Sequence, residues 1–91
     1  QLVGLAQTLT TESGNAQEFE EFIHSLSDVA SLKKTETGWI VSKFENQQFI
    51  FEIQLIANGF YIHRSGNYFS FFGFFIEAVT GNFGRVSIED V

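Results

Sequence analysis

Residues 68–79 read YFSFFGFFIEAV, with five phenylalanines between Tyr68 and Ile76. As a strand, this run would set Tyr68, Ser70, Phe72, Phe74 and Ile76 against Phe69, Phe71, Gly73, Phe75 and Glu77. Side chains alternate faces along a strand, and here neither face would be polar. A helix sorts the same residues. At about 100° per residue, Ser70, Gly73, Glu77 and Thr80 share a sector about 80° wide, and the apolar side chains fill an arc of about 220°. The spacing predicts a helix with Asn67 as N-cap and Gly81 just past its end.

The run is not a membrane span. Ser70, Gly73 and Glu77 interrupt it, and no stretch approaches the roughly 18–20 apolar residues a bilayer requires. A surface helix normally buries a stripe only somewhat wider than about 100°. The wider arc implies burial on two sides, between a sheet and either the preceding helix or another chain. A homodimer is one way to cover the surplus.

Upstream, the hydrophobic period changes twice. Leu2, Leu5, Ala6 and Leu9 follow i, i+3, i+4, i+7 spacing, which suggests a short amphipathic helix over residues 1–10. After the break TESG, Asn15 and Glu18 have the spacing of a capping box. Phe19, Phe22, Ile23, Leu26, Val29 and Ala30 then form one stripe, predicting a helix from Ala16 to Leu32 with Lys33 and Lys34 at its negative end.

Residues 37–64 alternate with period 2. Asn58-Gly59 is a hairpin signal that would pair Leu55 with Ile62 and Ile53 with Arg64. A turn at Asn46-Gln47 would pair Phe44 with Phe49, Ser42 with Phe51 and Ile40 with Ile53. Together these turns place Ile40, Phe44, Phe49, Phe51, Ile53, Leu55, Phe60 and Ile62 on one face. RVSIEDV at 85–91 alternates as a further strand. The expected architecture is a single α+β domain over residues 1–91. It has an N-terminal helical part, a three-stranded antiparallel meander, a buried Phe-rich helix and a C-terminal fourth strand.

Composition narrows the function classes. The chain is 44% apolar and 18% charged, a globular balance rather than a disordered one. Eleven acids against five Lys and Arg give a net charge of −6, which argues against binding a phosphate backbone. There is no cysteine, hence no disulfide, thiolate nucleophile or thiolate metal site. That fits a reducing compartment, and the expected location is cytoplasmic. The absence of Met even at position 1 suggests a processed chain or a piece of a longer one. The N-terminal QLVGLAQTL lacks the basic start of a secretory leader.

No motif for chemistry emerges. His24 and His63 lack ligand-like spacing, no G-x-S-x-G elbow occurs, and GNFG at 81–84 lacks the lysine of a phosphate loop. The expectation is a non-enzyme without cofactor or metal. Glu18, Glu20, Glu21 and Asp28 give the 16–32 helix an acidic outer surface, and no base occurs between Gln1 and Leu32. Acids in a first turn also simply complement the helix dipole.

The second face of the sheet would carry Lys43, Gln48, Glu52, Gln54 and His63 among Trp39, Val41, Ile50, Ile56 and Tyr61. Unless the 1–10 helix docks there, Trp39 and Tyr61 would be exposed anchors for a partner. Size, charge and class together suggest a small acidic protein-binding module, a stoichiometric inhibitor or immunity-type protein that masks a basic protein. Two other classes fit: a dimeric secretion-type chaperone for an unfolded segment, and a carrier of a small apolar ligand in a Phe-lined cavity.

Overall fold

The computed structural model describes residues 5–91. Leu2, part of the expected N-terminal helix, lies outside them. Among these residues six strands form one antiparallel sheet in the order β2-β3-β4-β5-β1-β6, and two helices lie on one face of it. The strands are β1 (Leu5–Thr11), β2 (Ala30–Lys34), β3 (Trp39–Phe44), β4 (Gln47–Ile56), β5 (Gly59–Gly66) and β6 (Val86–Asp90), and the helices are α1 (Ala16–Ser25) and α2 (Phe69–Phe83). The α+β class, the β3–β5 meander, the Phe-rich helix and the C-terminal strand match expectation. The strand count does not, because β1 and β2 fall in segments that the helical spacing claimed.

β1 corrects the N-terminal helix. Leu5 to Thr11 sits between β5 and β6, pairing Leu9 with Phe60 on one side and with Ile88 on the other. Thr8, Thr10 and Thr11 favour extended backbone, and every residue of this interior strand is paired across at least one ladder. The apolar spacing that suggested a helix is also alternation: Leu5, Gln7 and Leu9 share the face toward the helices.

α1 begins as expected. Glu18 N–H donates to Asn15 Oδ1 at 2.9 Å, and Asn15 N–H donates to Glu18 Oε1 at 3.0 Å, completing the capping box. The helix is shorter than expected. It ends at Ser25, a single 3-10 turn over Leu26–Asp28 follows, and the chain then enters β2. Ser25 Oγ donates back to the Phe22 carbonyl at 2.6 Å, the local bonding by which serine competes with a helix ladder. Lys33 and Lys34 are therefore edge-strand residues, where lysine discourages further pairing, and not a helix end.

In β4 and β5 the expected faces hold. Phe49, Phe51, Ile53, Phe60 and Ile62 are buried toward the helices. The hairpin turn lies one residue earlier than Asn58-Gly59, so Leu55 pairs with Phe60 and Ile53 with Ile62. Gly59 closes the turn at φ +156°, with its Cα against the Leu9 carbonyl, so a Cβ there would collide with β1. The other turn also moves, to Glu45-Asn46, with Glu45 at φ +56°.

Ser42 has no partner in either ladder. It is the extra residue against β2, whereas on the other side it stands against two residues of β4, Phe49 and Ile50, and the irregularity reverses half of β3. One extra residue exchanges the faces of everything beyond it. Phe44 stays inward as expected. Trp39 and Val41 turn inward, opposite Ile53 and Phe51, while Ile40 turns outward opposite Glu52. The expectation of Ile40 inside and Trp39 and Val41 outside is corrected.

α2 runs from Phe69 to Phe83, and no helix among the described residues is long and apolar enough to cross a membrane. Its N-cap is Tyr68, without a side-chain cap, rather than Asn67. Its stop is Gly84 at φ +82°; Gly81 lies within the helix with open space around it. The last turn is held from the β1–α1 loop, where Ser13 donates its N–H (3.1 Å) and its Oγ (3.0 Å) to the Phe83 carbonyl.

The buried stripe of α2 is Phe71, Phe75, Val79 and Phe83, one residue per turn. Phe72, Phe74, Ile76 and Ala78 flank it, partly buried, and Phe69 is 67% exposed. The burial expected on two sides is thus one deep stripe with half-covered margins. Phe75 lies 5.2 Å from Phe51, 5.7 Å from Phe60 and 5.8 Å from Phe22, ring centre to ring centre. Phe75→Ala should cost about 3–5 kcal/mol in a urea melt, through lost transfer energy plus the cavity left behind. A loss under about 1 kcal/mol would contradict this packing. Asn15→Ala should cost about 1 kcal/mol through the lost cap.

Candidate functional site

Two surfaces offer recognition chemistry. The first is a groove of about 340 Å³ between the helices, lined by Glu18, Glu21, Phe22, Ser25, Asn82 and Phe83. The i, i+3, i+4, i+7 spacing of the α1 residues sets them along one side of that helix. Phe22 and Phe83 meet edge to face at 5.6 Å, nearly buried, and make an apolar floor beneath a carboxylate rim. Such a groove suits a lysine or arginine side chain, with methylenes against the rings and the cationic head at the acids.

The four acids singled out in the sequence are all exposed, but they are not equivalent. Glu18 is engaged in the capping box, and Glu21 Oε2 accepts a long 3.4 Å bond from Gln17. Glu20 and Asp28 do not line the groove, and Asp28 sits in the 3-10 turn rather than on a continued helix. Glu20, Glu21 and Asp28 therefore carry charge without a structural duty in α1.

The second surface is the sheet face turned away from the helices. Tyr61 lies there, half-buried, between Gln54 of β4 and Thr8 of β1. Beside it Glu52 and His63 are cross-strand partners with Oε1 and Nδ1 3.7 Å apart, both substantially exposed. Exposed pairs of this kind contribute little to stability. Ile50 is 43% exposed on the same face. The expected 1–10 helix does not dock here, since its described part is β1.

Trp39 does not join this surface. It is 6% exposed on the helix side, with the His24 ring 6.1 Å away and Lys34 Nζ 4.8 Å above it. The bulge at Ser42 moved it from the expected exposed position into the core. Of the six sequence-selected residues, Glu18 and Glu21 share the groove, Glu20 and Asp28 are exposed outside its lining, Tyr61 lies on the opposite face of the sheet, and Trp39 is internal.

Sequence reasoning passed over Arg64. This residue is 5% exposed on the inner face of β5, and its Nε and Nη1 have no hydrogen-bond partner. Its Cζ lies 3.9 Å from the Phe72 ring centre and 4.9 Å from that of Tyr68. The signal was its parity: Phe60, Ile62 and Arg64 alternate onto one face. Gln7 Oε1, on the neighbouring strand, is also buried without a partner, while Gln7 Nε2 donates to Asp90 at 2.8 Å.

No cluster of three or more His, Asp or Glu suited to a metal occurs among the described residues. Comparison with protein-family models, with curated proteins and with solved structures finds no match for this chain.

Trp39→Ala should cost about 3–5 kcal/mol in denaturant unfolding, the magnitude of a core aromatic truncation. Tyr61→Ala, on the uncovered face, should cost under half as much. Equal and small losses for both would return Trp39 to the surface.

Proposed function

We propose that this chain is a protein-binding module that engages a basic protein through α1 and the groove between its helices, as a stoichiometric inhibitor or immunity-type protein does. The observation that carries this reading is the combination at the groove of a carboxylate rim, from Glu18 and Glu21, and an aromatic floor, from Phe22 and Phe83. The net charge of −6 and the lack of any Lys or Arg before Lys33 extend the negative field around it. A field of that sign raises encounter rates with a basic surface within about a Debye length, roughly 8–10 Å. A non-enzymatic, cytoplasmic role fits the cysteine-free sequence.

A second reading rests on the sheet. Neither described helix covers its outer face, where Tyr61 and Ile50 are accessible. A dimer, or a chaperone-type surface for an unfolded segment, would use that face.

The test starts from affinity capture with the tagged chain at low salt, followed by binding kinetics on the partner identified. The variant Glu20→Lys, Glu21→Lys, Asp28→Lys leaves the Glu18 cap intact. It should slow association by about tenfold or more at low salt, with little change in dissociation. An association rate and salt dependence unchanged in the triple variant would reduce these acids to a solvated face. Light scattering over a hundredfold dilution separates the second reading, which requires a dimer.

A further inference from the structure

The groove between the helices is rich in hydrogen-bond acceptors and poor in donors. Its one hydroxyl is spent: Ser25 Oγ donates to the Phe22 carbonyl at 2.6 Å and keeps only lone pairs to offer. Asn82 Nδ2 donates to the Ala78 carbonyl at 2.8 Å, which fixes the amide and leaves Oδ1 free. The second hydrogen of that amide is the single side-chain donor remaining on the rim. Against it stand Asn82 Oδ1, Ser25 Oγ and the carboxylates of Glu18 and Glu21, all on exposed residues. No cation of this chain pairs with either carboxylate among the described residues.

The two carboxylates are each half engaged. Glu18 Oε1 accepts the Asn15 N–H at 3.0 Å, and Glu21 Oε2 accepts from Gln17 Nε2 at 3.4 Å. Each therefore has one oxygen free. A guanidinium binds best as a planar fork on both oxygens of one carboxylate, and neither carboxylate offers that pair. An ammonium is a compact charge whose three hydrogens diverge, so it takes single oxygens from separate residues. The volume of about 340 Å³ is at the low end of the range for ligand sites, about 300–1,000 Å³, and suits one side chain.

We infer that the groove selects an unmodified lysine side chain of the partner over arginine. The ammonium lies among the free oxygens of Glu18 and Glu21 on α1 and Asn82 Oδ1 on α2, with the methylenes over Phe22 and Phe83. This rests on the function proposed above and names the residue that the groove takes. Acetylating that lysine removes its charge and two of its three donors, so the contact is one that acetylation of the partner switches off.

The probes are glycine peptides blocked at both ends, each with one central lysine, arginine, Nε-acetyl-lysine or Nε-trimethyl-lysine. Titrated into the wild-type chain, the lysine peptide should move the Asn82 side-chain amide and the Ser25 backbone amide resonances saturably, with Kd on the order of 1 mM. The arginine peptide should bind about fivefold more weakly or worse, as expected for loss of well-made charge-assisted bonds. The acetylated and trimethylated peptides, lacking the charge or the donors, should give no saturable shift. Gln17→Ala releases Glu21 Oε2 and keeps a good helix former on the exposed surface of α1. It should tighten arginine binding while leaving lysine nearly unchanged, so that the preference narrows.

Arginine binding as tight as lysine in the wild-type chain would overturn the inference, as would equal binding of trimethyl-lysine or groove resonances unmoved by the lysine peptide. A preference unchanged in Gln17→Ala would overturn the role given to the engaged oxygens. The peptides need no partner, so this result can fail while the salt-dependent kinetics of the α1 charge variant hold, and the converse.

Discussion

Phe60 is the point at which both helices meet the sheet. Its ring lies 5.1 Å from Phe19 and 6.0 Å from Phe22 of α1, and 5.7 Å from Phe75 and 6.4 Å from Phe83 of α2. Four aromatic neighbours around one fully buried ring fix the two helices relative to β5, and therefore to each other. The groove between the helices is a consequence of this packing: Phe22 and Phe83 each touch Phe60 from one side and each other from the next. The rings meet tilted or edge to face, arrangements that aromatic quadrupoles favour over parallel sandwiches. Phenylalanines in such number can therefore fill an interior by mutual contact, with Phe69 alone among the twelve largely exposed.

What could be read from the sequence was local. The cap of α1 is set by Asn15 and Glu18 alone, and the inward faces of β4 and β5 by strict alternation. Both survive any error elsewhere. The failures came where a longer-range partner decides. Leu5 and Leu9 satisfy a helical spacing and a strand spacing alike, and only the ladders to β5 and β6 choose between them. Val29 and Ala30 continue the helical stripe of α1 on paper, yet Ala30 pairs with Phe44 and Leu32 with Val41 in the sheet. Tertiary pairing outweighs propensities worth a few tenths of a kcal/mol per residue.

Ser42 shows how a single residue limits inference about a site. A bulge leaves no mark in hydrophobic alternation, because it changes which partner each residue meets and not the residues themselves. Its effect reached Trp39, three residues away, and exchanged an exposed anchor for a core side chain. The acids of α1 were legible because charge on a helix exterior needs no register. So was the capping role of Glu18. Which acids line the groove was not, because that depends on where Asn82 and Phe83 of α2 come to lie.

Arg64 is where the inner face departs from the hydrophobic pattern. Replacing a buried, unpaired charge by an apolar side chain of similar size is generally neutral or favourable. Stacking on Phe72 and Tyr68 returns something on the order of 2 kcal/mol, less than the several kcal/mol that desolvating an ion costs. A folded domain of this size has only about 5–15 kcal/mol in hand, so an uncompensated guanidinium is a substantial fraction of it. Along β4 and β5 the inner face is apolar from Phe49 to Ile62, so the departure at Arg64 is local. Arg64 therefore sits there at a cost to stability that its two aromatic neighbours offset only in part.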